Sequence, residues 1–160
     1  MGESAGLVLA ATVGLGATVV MDLWCWWLRS MGVATLDYAM LGRWCGHWLH
    51  GRWFHAPIQK SHAIGAEKPL GWVLHYLTGM VFAVAWLEWF GPWPGVWTAL
   101  LFGVLTLVLP WLVMQPALGA GLAASKTPRP WLSRGVSLTT HAIFGLAMWA
   151  CWRLLMLFQS

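Results

Sequence analysis

Charge is what this sequence has least of. Nine Lys and Arg and five Asp and Glu serve 160 residues, 9% in all, against about a quarter in soluble domains. So few charges cannot clothe a water-facing surface, which excludes a soluble enzyme and a disordered chain. Three cysteines are too few for a disulfide-stapled secreted domain. A basic n-region is missing as well, since Glu3 is the only charge ahead of the first apolar run. That run is too long, and carries Asp22 too deep, for a cleavable signal sequence, so it reads as a retained span. Nothing provides a basic groove wide enough for nucleic acid.

What is present is apolar: 59% of residues are hydrophobic, 15 are Trp, and the mean hydropathy is +0.67. Lipid is therefore the solvent. About 20 apolar residues cross ~30 Å of hydrocarbon, and four windows are long enough: Gly6 to Leu28, Leu70 to Phe90, Val96 to Leu118 and Val136 to Phe158. Gly91-Pro92-Trp93-Pro94-Gly95 is a tight turn joining the second and third spans as an antiparallel hairpin. The expected fold is an all-α integral membrane four-helix bundle, one domain over residues 1–160, with loops 29–69 and 119–135.

The cations fall on one side. Arg29, Arg43, Arg52, Lys60 and Lys68 occupy the first loop and Lys126, Arg129 and Arg134 the last, while the N-terminus and the 91–95 turn have none. By the positive-inside rule both basic loops are cytoplasmic and both termini periplasmic in a bacterial inner membrane, with Arg153 snorkelling outward. The three cysteines then cannot meet on the oxidising side and are expected free. Trp24, Trp26, Trp27, Trp72, Trp89, Trp93, Trp97 and Trp131 fall near span ends and read as an interfacial belt.

Polar groups within spans are costly and mark candidate sites. Asp22, His75, Gln115 (beside Met114) and His141 lie at a similar depth, roughly 5 to 9 Å below the cytoplasmic interface at 1.5 Å per residue, one from each span. Spans two and four share a pattern, His75, Gly79, Trp86 and His141, Gly145, Trp152. This reads either as two tandem helical hairpins or as chance in a chain rich in Gly and Trp. The polar layer likewise has two readings, a ligand site or polar glue between helices.

Four histidines, His47, His50, His55 and His62, populate the first loop at a spacing that fits no zinc signature. A loop folded back would bring His47 or His55 to the buried layer; the plainer reading is an interfacial amphipathic helix from Leu36 to about His50. In the last loop, Lys126, Thr127 and Arg129 stand beside small residues and suit an anion, most simply a lipid phosphate, as does Arg43 in the first. The loop has no Walker motif. Pro110 and Pro116 predict a kinked third span, partly unwound near Gln115.

These residues resemble an uncharacterised family of small bacterial inner-membrane proteins, domain of unknown function 2938. The likeness is carried by Gly42-Arg43-Trp44 with Gly46-His47, His55 with Pro57, Glu67 followed by Gly71-Trp72 and His75-Tyr76, Met114-Gln115-Pro116, Ala123 to Pro128, and His141 with Phe144-Gly145. It implies four membrane helices with Asp22, His47, His55, His75, Gln115 and His141 as shared polar residues, and no activity. Three functions remain open. The first is a transition metal (iron, copper or zinc) or haem b held by His75, His141 and Asp22, with His47 or His55 capping it. The second is a small-molecule or ion transporter, usually dimeric at this size. The third is an accessory subunit of a larger membrane complex. Nucleophilic catalysis has no support, because Ser125, Ser133 and Ser137 lack a His-Asp partner at a sensible depth.

Overall fold

A computed structural model describes residues 3–91 and 93–158. Those residues are helical and contain no strand. Helix α1 runs Glu3–Ser30, α2 Tyr38–Trp48, α3 Glu67–Phe90, α4 Val96–Leu105, α5 Gln115–Ala117 and α6 Pro130–Leu157. Four stretches are long and apolar enough to cross a membrane: Ala5–Ser30, Glu67–Phe90, Val96–Ala117 and Pro130–Leu157. The first three lie within a few residues of expectation. The fourth starts six residues before the expected Val136, because Pro130 at its first position needs no helical N–H partner and presets the backbone angle.

The third span is broken, as its prolines require. After α4 the chain makes a turn and then a π-helical stretch, Pro110–Met114, before the short α5. Proline lacks an N–H and clashes with the preceding turn, so the α-helical ladder cannot pass through Pro110 and Pro116 unaltered. The loop helix is shorter than expected. Asp37 caps its start, its carboxylate accepting from the Ala39 N–H at 3.0 Å, and its last residue is Trp48.

The contacts fall into two compact units. One comprises the described residues of Met1–Val33, Tyr76–Thr106 and Leu138–Ser160. Its core joins four helices: Val13 and Ala17 from α1, Ala83 and Trp86 from α3, Ala99 and Phe102 from α4, and Phe144, Met148 and Trp152 from α6. With lipid as solvent, burial alone gives these helices little reason to associate, so close packing must supply it. Glycine pairs do so. A methyl on Gly14 would sit 2.5 Å from the Gly79 carbonyl oxygen, and one on Gly103 2.5 Å from that of His141 and 2.7 Å from Gly145 Cα. The repeated Gly79 and Gly145 thus play equivalent parts, one against span one and the other against span three. Trp86 and Trp152 are both buried.

The other unit comprises Ala34–His75 and Leu107–Ser137. Its core is Trp44, Ile58, Ala117 and Leu118, flanked by Leu36, Met40, Leu41, Cys45 and Met114. The three cysteines are free thiols.

Gly14→Ala and Gly103→Ala should each cost about 1–3 kcal/mol through overpacking, seen as a lower thermal midpoint of the detergent-solubilised protein. Gly135→Ala, where an added methyl meets nothing within 4 Å, should leave the midpoint unchanged or raise it.

Candidate functional site

Loop 49–66 is held by one buried side chain. Arg43, on the inward face of α2, meets Glu67 at the start of α3 in a two-pronged pair, Nε to Oε2 at 2.8 Å and Nη2 to Oε1 at 2.8 Å. Its Nη1 reaches the carbonyls of Ile58 at 3.3 Å and Ser61 at 3.2 Å. Glu67 also accepts the Ile64 N–H at 3.2 Å. Expected at an anion or lipid headgroup, Arg43 is instead committed to folding the loop. Its Glu67 partner keeps the guanidinium charged, above its already high ordinary range. The helices must touch for this to happen, and Gly42 and Gly71 allow it: a methyl on either would strike the facing backbone.

The loop is fastened at two further points. Trp44 Nε1 donates to the Trp53 carbonyl at 2.8 Å. The N–H groups of His55 and Ile58 donate to the carbonyls of Ala117 at 2.8 Å and Leu118 at 3.0 Å, so the broken third span supplies acceptors to the loop.

This framework brings His47 and His55 together, with ring centroids 4.9 Å apart. His47 is buried, and its Nε2 lies 2.9 Å from the His62 carbonyl. A carbonyl only accepts, so Nε2 carries a proton, and in the neutral ring the lone pair is then on Nδ1. His55 Nδ1 lies 2.8 Å from Ser61 Oγ. The other ring nitrogens, His47 Nδ1 and His55 Nε2, are buried without a hydrogen-bond partner. Burial pushes the His55 pKa below 6.5, and the neighbouring His47 adds to this, against a smaller opposing pull from the Arg52 carbonyl. Each ring is oriented through one nitrogen and turns the other to a buried position.

Of the remaining candidates, His75, Gln115 and Met114 belong to the same unit as the loop, and Asp22 and His141 to the other. His75 stacks on Tyr38 at 4.0 Å with Trp72 edge-on at 6.0 Å. Gln115 leaves its Oε1 buried without a hydrogen-bond partner, and Met114 packs on the Trp44 core. In the other unit, Asp22 accepts from the Tyr76 hydroxyl. His141 Nδ1 lies 2.7 Å from Thr106 Oγ1. That hydroxyl donates to the Gly103 carbonyl, so it accepts from His141, which is protonated on Nδ1. Among the described residues no three His, Cys, Asp or Glu side chains group to hold a metal. In the last loop Lys126 and Arg129 are exposed, while the Thr127 hydroxyl donates to the Ala124 carbonyl at 2.8 Å. The Ser125, Lys126 and Thr127 N–H groups already have carbonyl partners, so these three amides are not free for an anion.

A protein-family model described as protein of unknown function (DUF2938) matches residues 11–155. The chain belongs to this family. No curated protein and no solved structure matches it. The match to DUF2938 takes in α2, the loop and all of the candidate residues. Sequence reasoning missed Ser61, Tyr38 and Trp53 as partners, since none stands in a recognisable motif. The long gap between Arg43 and Glu67 hid their pairing.

Removing one member of a buried ion pair costs about 3–5 kcal/mol. Glu67→Ala should therefore open the loop, with amides of residues 55–64 losing at least tenfold hydrogen-exchange protection while those of α1 keep theirs. Acid acts on the same segment. The opened loop takes up a proton on His55 near pH 6.5, above the depressed value of the closed form, so stability present above 6.5 falls as pH drops below it. Exchange at pH 7.5 and 5.0, corrected for intrinsic rates, should show this loss, and His55→Gln should abolish the pH dependence.

Proposed function

We infer that this is a multi-pass protein of the bacterial inner membrane that holds one first-row transition-metal ion between His47 and His55. The observation that carries the reading is the pair of buried ring nitrogens without hydrogen-bond partners, one of them on a ring whose proton is fixed on the far side. Imidazole suits copper, zinc, iron and nickel, and a buried lone pair with nothing to accept is costly unless it meets a proton or a cation. The separation supports a bare ion. With metal–nitrogen bonds of about 2.0–2.1 Å, ring centres lie about 3.2 Å from the ion, so 4.9 Å between them subtends roughly 100°, close to tetrahedral. Two imidazoles on opposite faces of a haem would stand about 6 Å apart, which disfavours haem at this pair. The remaining coordination positions would stay open to a carried ligand or substrate. The asymmetry of Lys and Arg supports a cytoplasmic position for the loop, and with it the ion.

Equilibrium dialysis of the purified full-length protein against copper, zinc and cobalt, with elemental analysis, tests the assignment. About one ion per chain is expected. His47→Ala and His55→Ala should each weaken binding at least tenfold, while His75→Ala and His141→Ala retain it. Absence of stoichiometric metal, or its full retention in the His47→Ala/His55→Ala double variant, overturns the reading.

A further inference from the structure

The segment between α2 and the extended part of the loop carries a surface that neither the fold nor the histidine pair uses. Trp48, Leu49, Trp53 and Phe54 are 36%, 89%, 52% and 76% exposed. Exposed apolar side chains on the four spans need no explanation, because lipid covers them. These four lie outside every span, where water would otherwise meet their apolar surface at about 25 cal/mol per Å².

The patch is built rather than slack. Trp48 and Trp53 stack at 5.0 Å with their planes 25° apart, and Trp44 meets Trp48 edge-on at 4.8 Å. Backbone bonds from His50 and Arg52 to the His47 carbonyl, and from Gly51 to Trp48, close the turn, with Gly51 taking the left-handed conformation at φ 69°. The Trp44 indole holds Trp53 from behind. The aromatic pair is therefore fixed before anything binds it.

Charge identifies the occupant. From Tyr38 to Ala66 there is no Asp or Glu, while Arg52 and Lys60 stand exposed. A protein partner of ordinary composition has no need of that one-sided balance, whereas a headgroup layer with anionic phosphates above apolar tails meets it in both parts. Tryptophan favours that depth, and each basic side chain near an anionic surface adds about 1 kcal/mol. We propose that the tip formed by Trp48, Leu49, Trp53 and Phe54, with Arg52 in the same turn and Lys60 further along the loop, inserts into the interface of an anionic bilayer and anchors the loop there. This insertion is independent of metal binding.

Site-directed spin labels at Leu49→Cys and Phe54→Cys test this, on full-length protein with its native cysteines changed to serine, in nanodiscs of phosphatidylcholine with or without one-quarter phosphatidylglycerol. Both side chains are largely exposed, so the labels leave the packing alone, and unchanged circular dichroism checks it. In the anionic discs both labels should collide more with oxygen than with a water-soluble nickel chelate, the signature of lipid burial. Arg52→Gln with Lys60→Gln should at least halve that depth signal. Labels freely reached by nickel in anionic discs overturn the proposal. Labels shielded from both oxygen and nickel overturn it in favour of a protein partner or a second copy. An oxygen signal equal in both disc types, and unmoved by the double charge change, overturns the anionic part.

Discussion

Arg43 has a planar fork of donors, and the loop that carries the candidate site is arranged around where those donors go. Two prongs meet Glu67 and the third reaches the carbonyls of Ile58 and Ser61, so one guanidinium joins α2, the loop and the first turn of α3. Lysine would not substitute, because a point charge cannot satisfy a carboxylate side-on and two carbonyls together. His62, whose carbonyl orients His47, and Ser61, which orients His55, both follow directly from the segment Arg43 gathers.

The membrane-spanning part obeys a different logic. Its helices gain little from leaving one apolar medium for another, so their association rests on backbones brought close at Gly14, Gly79, Gly103 and Gly145. Two of the polar groups there have side-chain partners, Asp22 in Tyr76 and His141 in Thr106, which limits their cost in hydrocarbon, while the indole nitrogens of Trp24 and Trp86 are buried without a hydrogen-bond partner.

Span positions were legible in the sequence because twenty apolar residues with few charges permit little else, and the break in the third span was legible because proline has one backbone consequence. The candidate site was legible only in part. His47 and His55 were visible as separate loop histidines, but their meeting depends on a helix end after Trp48, a turn at Gly51 and an extended segment bonded to residues 117 and 118. None of these has a periodic signature. Common depth suggested a layer of Asp22, His75, Gln115 and His141, but the neighbours of three of them, Tyr76, Tyr38 and Thr106, have no signature in the spacing. Arg43 misled for a related reason: a cation in a basic loop reads as exposed until its acid, 24 residues on, is placed beside it.

The bonds from His55 and Ile58 to the carbonyls of Ala117 and Leu118 also bear on biogenesis. The acceptors lie about 60 residues downstream of the donors, and a ribosome adding roughly 5–20 residues per second needs some 3 to 12 seconds to supply them. Throughout that interval the first loop has its Arg43 and Glu67 but not its floor. These two backbone bonds therefore form only once the third span has been made, and in the finished protein they tie the segment that carries His55 to that span.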